Sequence, residues 1–295
     1  MLQPEAVTKI DMQEPPTKCT RAEAAASPAA AAAHTEHVDV RWICDMHVHL
    51  YPTYDPLQVW PRIQRALLNH APSFSPPVQL AIFLTERADC HAFRELAEGR
   101  ADLPAGWQVS PTNDAAALHI LAPEGPSITV FAGRQIACRE RVEILALMTD
   151  DVFEDGISID ETILAVQQAG GLPVLGWSLG KWMFKRRPLA DKLLNGGTLA
   201  GVGDSSLRPL GWGEPQLMRT APLPVFAGTD PLPSPDEVNV IGRFGSTFTG
   251  PADPAALREY LHQGELRPER LGRRSSPLQV VRRLSTYYRS GKGSA

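Results

Sequence analysis

Residues 38–50, VDVRWICDMHVHL, alternate with a period of two along their whole length. Val38, Val40, Trp42, Cys44, Met46, Val48 and Leu50 fall on one face, and Asp39, Arg41, Ile43, Asp45, His47 and His49 on the other. Successive side chains of a strand point to opposite sides, so the stretch reads as a β-strand with an apolar and a polar face. The polar face ends in His47 and His49, two imidazoles at i and i+2 that project the same way and can converge on one cation. Barrel enzymes build their sites at the C-terminal ends of such strands. The pair also reads as two hydrogen-bonded core histidines, and at this level both readings stand.

Outward from this strand the pattern alternates between strand and helix. The run over 78–84 is almost continuously apolar, as in a parallel strand buried on both faces. A helix is expected over 89–98, capped by Asp89 and closed by Gly99. Short strands follow over 127–137 and 142–148, around the polar turn Arg139-Glu140-Arg141. Ser158-Ile159-Asp160-Glu161 matches a capping box, and the helix it opens stops at Gly170-Gly171. Further strands are expected at 172–176, 198–203 and 223–228, and a helix from Asp253-Pro254 to His262. Ser276-Pro277 opens a last helix, with Leu278, Val281, Leu284 and Tyr288 on one face. The alternation implies right-handed βαβ units, either closed into a barrel or open and doubly wound.

The ends differ in composition. Residues 1–37 hold Pro15-Pro16 and an alanine run broken by Ser27-Pro28, too few bulky apolar groups to offset the entropy of ordering. A disordered low-complexity tail over 1–37, one domain over 38–290 and a flexible terminus over 291–295 are expected. With 295 residues, 43% hydrophobic and 21% charged, the chain is near the globular average. Its net charge of −4 argues against a basic footprint over the whole surface, so no nucleic-acid partner is expected. Four cysteines without a CxxC pair fit neither a disulfide framework nor a zinc ribbon. No run is long enough to span a bilayer, and a cytoplasmic location is expected.

Other strand ends carry chemistry too. Asp230, in Gly228-Thr229-Asp230, would face the first strand across a closed barrel and complete a His/His/Asp set, or else cap a turn. Asp204 admits the same two readings. Glu86, just past the run over 78–84, is a candidate proton acceptor or an ion-pair partner. Lys181 and Lys185, with Arg208 further on, form a candidate phosphate clamp or a solvated basic face. Arg243 faces the mouth of the site or stiffens its loop.

Four segments together resemble the PHP (polymerase and histidinol phosphatase) superfamily. They are DMHVH at 45–49, GRQIACRERVEILAL at 133–147, AVQQAGGLPVLGWSLG at 165–180, and AGTDPLP with the following NVIGRFGSTFTG. The resemblance spans about residues 38 to 250 and implies a distorted (β/α)7-type, TIM-like barrel with metal-dependent phosphoesterase activity. Under it His47, His49 and Asp230 are retained ligands and Glu143 replaces a histidine. Gln135, Trp177 and Leu232 stand where the family carries a glutamate and two histidines. These replacements imply one divalent ion (Zn, Mn or Mg) rather than three. The expected function is a metal-dependent hydrolase of a small phosphorylated molecule. Two alternatives remain: a non-catalytic binding or scaffold protein that has lost most ligands, and an amidohydrolase-like C–N hydrolase, a class that shares the first motif.

Overall fold

A computed structural model describes residues 38–71, 77–177, 187–220 and 222–289. The expected tail at 1–37 and the terminus from 290 onward lie outside these residues. In chain order the strands are β1 (Asp39–Val48), β2 (Val78–Leu84), β3 (Gln108–Pro111), β4 (Ala117–Leu121), β5 (Ile128–Phe131) and β6 (Gly133–Ala137), then β7 (Glu143–Leu147), β8 (Leu172–Leu175), β9 (Gly201–Ser205), β10 (Val225–Gly228), β11 (Phe244–Pro251) and β12 (Glu269–Gly272). The helices are α1 (Pro56–Leu68), α2 (Ala92–Ala97), α3 (Ile159–Gln168), α4 (Arg187–Asn195), α5 (Gln216–Thr220), α6 (Pro254–His262) and α7 (Pro277–Arg289). None is long and apolar enough to cross a membrane.

The protein is a mixed α/β fold, but the strands do not close into the expected barrel. They form a seven-stranded sheet, β12-β11-β1-β2-β5-β4-β3, and a five-stranded sheet, β10-β9-β8-β7-β6. The ladders explain why. β1 takes β11 and β2 as its neighbours, and β2 takes β5, so neither has an edge left for a full ladder to the second sheet. The sheets face each other across one core in which Trp42, Met46 and Phe83 meet Leu145, Leu147 and Phe226. A second cluster lies under α1 and α2, and a third under α3 and α4.

Two seams join the sheets, and each is backbone against backbone. At one, Asp230 N–H donates to the His47 carbonyl at 2.9 Å. A Cβ on Gly228 would stand 2.3 Å from the His47 nitrogen, so this approach admits glycine alone. At the other seam, Glu86 N–H donates to Gly133 O and Gln135 N–H to Glu86 O, both at 2.9 Å. The Glu86 side chain reinforces it. Oε2 pairs with the buried Arg134 at 3.3 Å, and Oε1 accepts from Phe93 N–H at 2.9 Å.

That last bond sets the start of α2. The helix begins at Ala92 rather than near Asp89, because the carboxylate of Glu86 serves its first-turn amides. Gly99 closes it with φ +67° as expected. The capping box of Ser158 and the Asp253 cap of α6 also form. Helix α7 departs from its expected orientation. Leu278, Val281 and Tyr288 are 79%, 61% and 64% exposed, and Val280 and Arg283 are buried instead. Arg283 decides this, since its guanidinium forks onto Glu237 at 2.7 to 3.0 Å and turns the helix about that anchor.

Two outcomes follow from the seams. Gly228→Ala must push the chains apart, and a loss of at least ~3 kcal/mol in denaturant unfolding is expected, as for a severe overpacking change. Burial pushes the Glu86 carboxyl up to about 7, against the pull of Phe93 N–H and Arg134. A carboxyl raised in the folded state binds its proton more tightly there than in the unfolded chain. Its contribution is therefore present in full at low pH and is lost as pH rises from about 4.5 to about 7, by about 3 kcal/mol. Glu86→Gln, neutral throughout, should match the wild type near pH 5 and show a flatter stability profile above it. Parallel profiles for the two proteins would refute the assignment.

Candidate metal centre

The site forms where β1 meets the end of β10. The β1–β2 ladder is irregular between Asp45 and Val48, which lets His47 and His49 turn inward together. Their Nε2 atoms are 3.2 Å apart. Asp230 Oδ1 lies 3.5 Å from His47 Nε2 and 3.6 Å from His49 Nε2. Among the described residues, these three side chains bring ligand-type atoms together. A tetrahedral ion held at about 2.0–2.1 Å leaves its ligands roughly 3.3 Å from one another. The observed triangle has edges of that length, and two imidazole nitrogens with one carboxylate oxygen is a donor set suited to zinc or manganese.

Asp230 is held in place against its backbone preference. Its φ is +50°, a left-handed conformation uncommon for a residue with a side chain. Its amide is fixed by His47 O, its carbonyl accepts from Arg283 Nη2 at 3.0 Å, and Oδ2 accepts from Ser205 Oγ at 3.0 Å. Strain so over-determined, at a strand end facing two histidines, is characteristic of functional positions.

Beneath the trio lies Asp45, fully buried. It accepts from Thr229 N–H at 2.9 Å, Gly242 N–H at 2.9 Å, His47 N–H at 3.3 Å and the Thr229 hydroxyl. Burial nonetheless pushes its carboxyl up to about 6. Burial lowers the pKa of His47, and the neighbouring His49 adds to this against the pull of Asp230 and Glu143. Burial would raise Asp230, but His47, His49 and Arg283 outweigh it and hold the carboxyl below its usual range. The set at neutral pH is thus a neutral His47 imidazole beside an ionised carboxylate. Tyr51 stacks on His49 at 5.5 Å between ring centres and shields that side.

The other residues singled out from sequence are placed as follows. Glu143 starts β7 and is outside the converging trio, although its charge acts on His47. Gln135, on β6, puts Oε1 3.1 Å from His47 Nε2, nearer than its neutral amide suggested. Trp177 fills the cluster under α3 and α4. Both Glu86 oxygens are engaged at the second seam, the ion-pair reading of that residue. Arg208 is buried and forks onto Asp204 at 2.8 and 2.6 Å, so its charge is spent inside the protein rather than offered to a phosphate. Asp204 also pairs with Arg270 at 2.8 Å. Lys181 and Lys185 lie outside the described residues. Ser205 and Arg283 act on the site without having been picked out, because neither forms a spaced motif with the histidines, and Asp45, the first residue of DMHVH, had been given no role of its own.

No protein-family model matches the chain, and no curated protein does. Among solved structures it is similar to PsfC from Pseudomonas syringae, with 17% identity over 86% of this chain and 99% of that one, at a TM-score of 0.50. It is more distantly similar to a two-domain protein from Bacteroides vulgatus described as containing a predicted PHP-like metal-dependent phosphoesterase (13% identity, 80% of this chain, 66% of that one, TM-score 0.42). Endonuclease Q from Pyrococcus furiosus gives 12% identity, 80% coverage of this chain and a TM-score of 0.46, and this chain spans 59% of its length. An endonuclease Q structure holds a 27-mer duplex with an abasic lesion at the active site. The expectation of a small phosphorylated molecule and no nucleic acid is corrected by that finding. The chain therefore has the fold seen in PsfC.

Proposed function

We propose that the chain is a metal-dependent hydrolase of the PHP kind that cleaves phosphoesters, with His47, His49 and Asp230 holding one divalent ion. The single observation carrying this reading is the triangle of two imidazole nitrogens and one carboxylate oxygen with edges of 3.2 to 3.6 Å. A divalent ion held by these three residues would supply Lewis-acid chemistry, for polarising a phosphoryl oxygen and for lowering the pKa of water. The protein's own part is to keep the donors ready. Burial favours the neutral form of His47, so its lone pair is available at neutral pH. Ser205 and the His47 carbonyl fix Asp230 so that Oδ1 points at both histidines. Asp45 is a positioning residue, holding Thr229 and through it the strand end that carries Asp230. The amide oxygen of Gln135 stands ready as a further neutral ligand or as an orienting contact for His47.

Gln135 also favours a rival reading. A neutral group beside His47 lowers the negative charge of the site, as in a binding protein that keeps the fold without turnover.

Metal analysis of protein purified without a histidine tag separates the two. About one zinc or manganese per chain is expected, and the double variant His47→Ala/His49→Ala should lose it. Asp230→Asn should weaken metal binding by at least ~10-fold and abolish hydrolysis of a chromogenic phosphodiester. Metal retained by the double variant removes the hydrolase reading. Metal bound without turnover of any phosphoester leaves the binding protein.

A further inference from the structure

Behind the trio, on the far side of Thr229, lies an open cavity of about 830 Å³ between α1, the turn from β12 into α7, and the loop before β11. Seven arginines and one histidine line it, and no acidic side chain does. In a chain of net charge −4 this is a strong segregation of charge. Two of the arginines serve the protein itself: Arg283 is forked onto Glu237, and Arg62 is bonded to Gln58 and Asn239. Arg65, Arg243, Arg273 and Arg282 are exposed and have no ion pair or side-chain hydrogen bond among the described residues. Arg274 donates to the carbonyls of Arg208, Pro209 and Trp212 at 3.1 to 3.4 Å, and Asp204 and Glu214 are near enough to act on its charge.

The four unpaired guanidinium groups repel one another, and folding alone gives no reason to collect them. An anionic ligand does, since guanidinium is the side chain best shaped for phosphate oxygens. A single phosphate needs two or three such groups, whereas these line an open trough. Two further features suit a nucleotide chain in particular. Leu210 lines the cavity at 40% exposure, and Trp212, whose carbonyl holds Arg274, leaves its indole 47% exposed. An exposed indole beside a basic groove is the platform on which bases of a single strand stack.

We propose that this cavity binds a single-stranded nucleic acid segment, its phosphates on Arg65, Arg243, Arg273, Arg274 and Arg282 and a base on Trp212. The surface is separate from the trio and needs no ion, although Thr229 and Arg283 belong to both walls. Binding at this cavity does not depend on hydrolysis at the trio, so either can fail alone.

The test is fluorescence anisotropy with a labelled single strand of about 16 nucleotides, in chelator, over about 50 to 200 mM salt. The full chain should bind with strong salt dependence. Arg65→Ala/Arg243→Ala/Arg273→Ala should bind at least ~10-fold more weakly at the lower salt, with a log–log salt slope shallower by about 2. Trp212→Ala should cost about fivefold or more. Arg100→Ala, an exposed arginine paired with Glu98 elsewhere, should bind as wild type, and so should Asp230→Asn. Circular dichroism confirms that each variant is folded. Wild-type affinity in the triple variant overturns the site. Displacement by inorganic polyphosphate at equal phosphate concentration, or tighter binding of the matching blunt duplex, overturns the assignment to a single strand.

Discussion

The structure depends on one close contact, the passage of Gly228, Thr229 and Asp230 across the face of β1. There is no room for a side chain at the crossing, since even a Cβ would lie 2.3 Å from a backbone nitrogen. Asp45 fastens the crossing from within by accepting from both Thr229 donors and from Gly242. A buried carboxylate is costly unless its lone pairs are satisfied, so these bonds stabilise the seam as they satisfy the acid. The same contact joins two sheets that share no ladder at this edge, and it brings Asp230 to within 3.6 Å of both histidines.

The site concentrates features that folding alone disfavours: two imidazoles in contact, a carboxylate at positive φ and an acid buried beneath them. Each is offset by a neighbour. Ser205, Arg283 and the His47 carbonyl hold Asp230, and Arg283 is itself anchored on Glu237. Strain shared over several bonds of this kind keeps the two imidazoles and the carboxylate in one fixed arrangement.

Charge follows a similar division. Glu86 with Arg134, Asp204 with Arg208, and Glu237 with Arg283 are buried pairs that hold seams and helix ends. Arg65, Arg243, Arg273 and Arg282, with no ion pair among the described residues, collect around a cavity that no acid lines. A modest negative total thus conceals a local basic surface.

The sequence by itself determined the local elements and the donor types. The period-two run at 38–50, the apolar run at 78–84, the capping box at Ser158 and the Asp253-Pro254 start all appear where the residues place them, because their causes are neighbours in the chain. His47 and His49 were legible for the same reason, being two residues apart on one strand. Asp230 was read from sequence as completing a set with them or as capping a turn. Tertiary structure decided between these, bringing Asp230 within 3.6 Å of both histidines, and it placed Gln135 Oε1 3.1 Å from His47. It also decided that Arg208 turns inward, that α7 rotates about Arg283, and that two sheets meet at seams instead of closing. Each of these is a competition between partners far apart in sequence. Its winner is set by which backbone approaches the packed core allows, and no local pattern of residues encodes that.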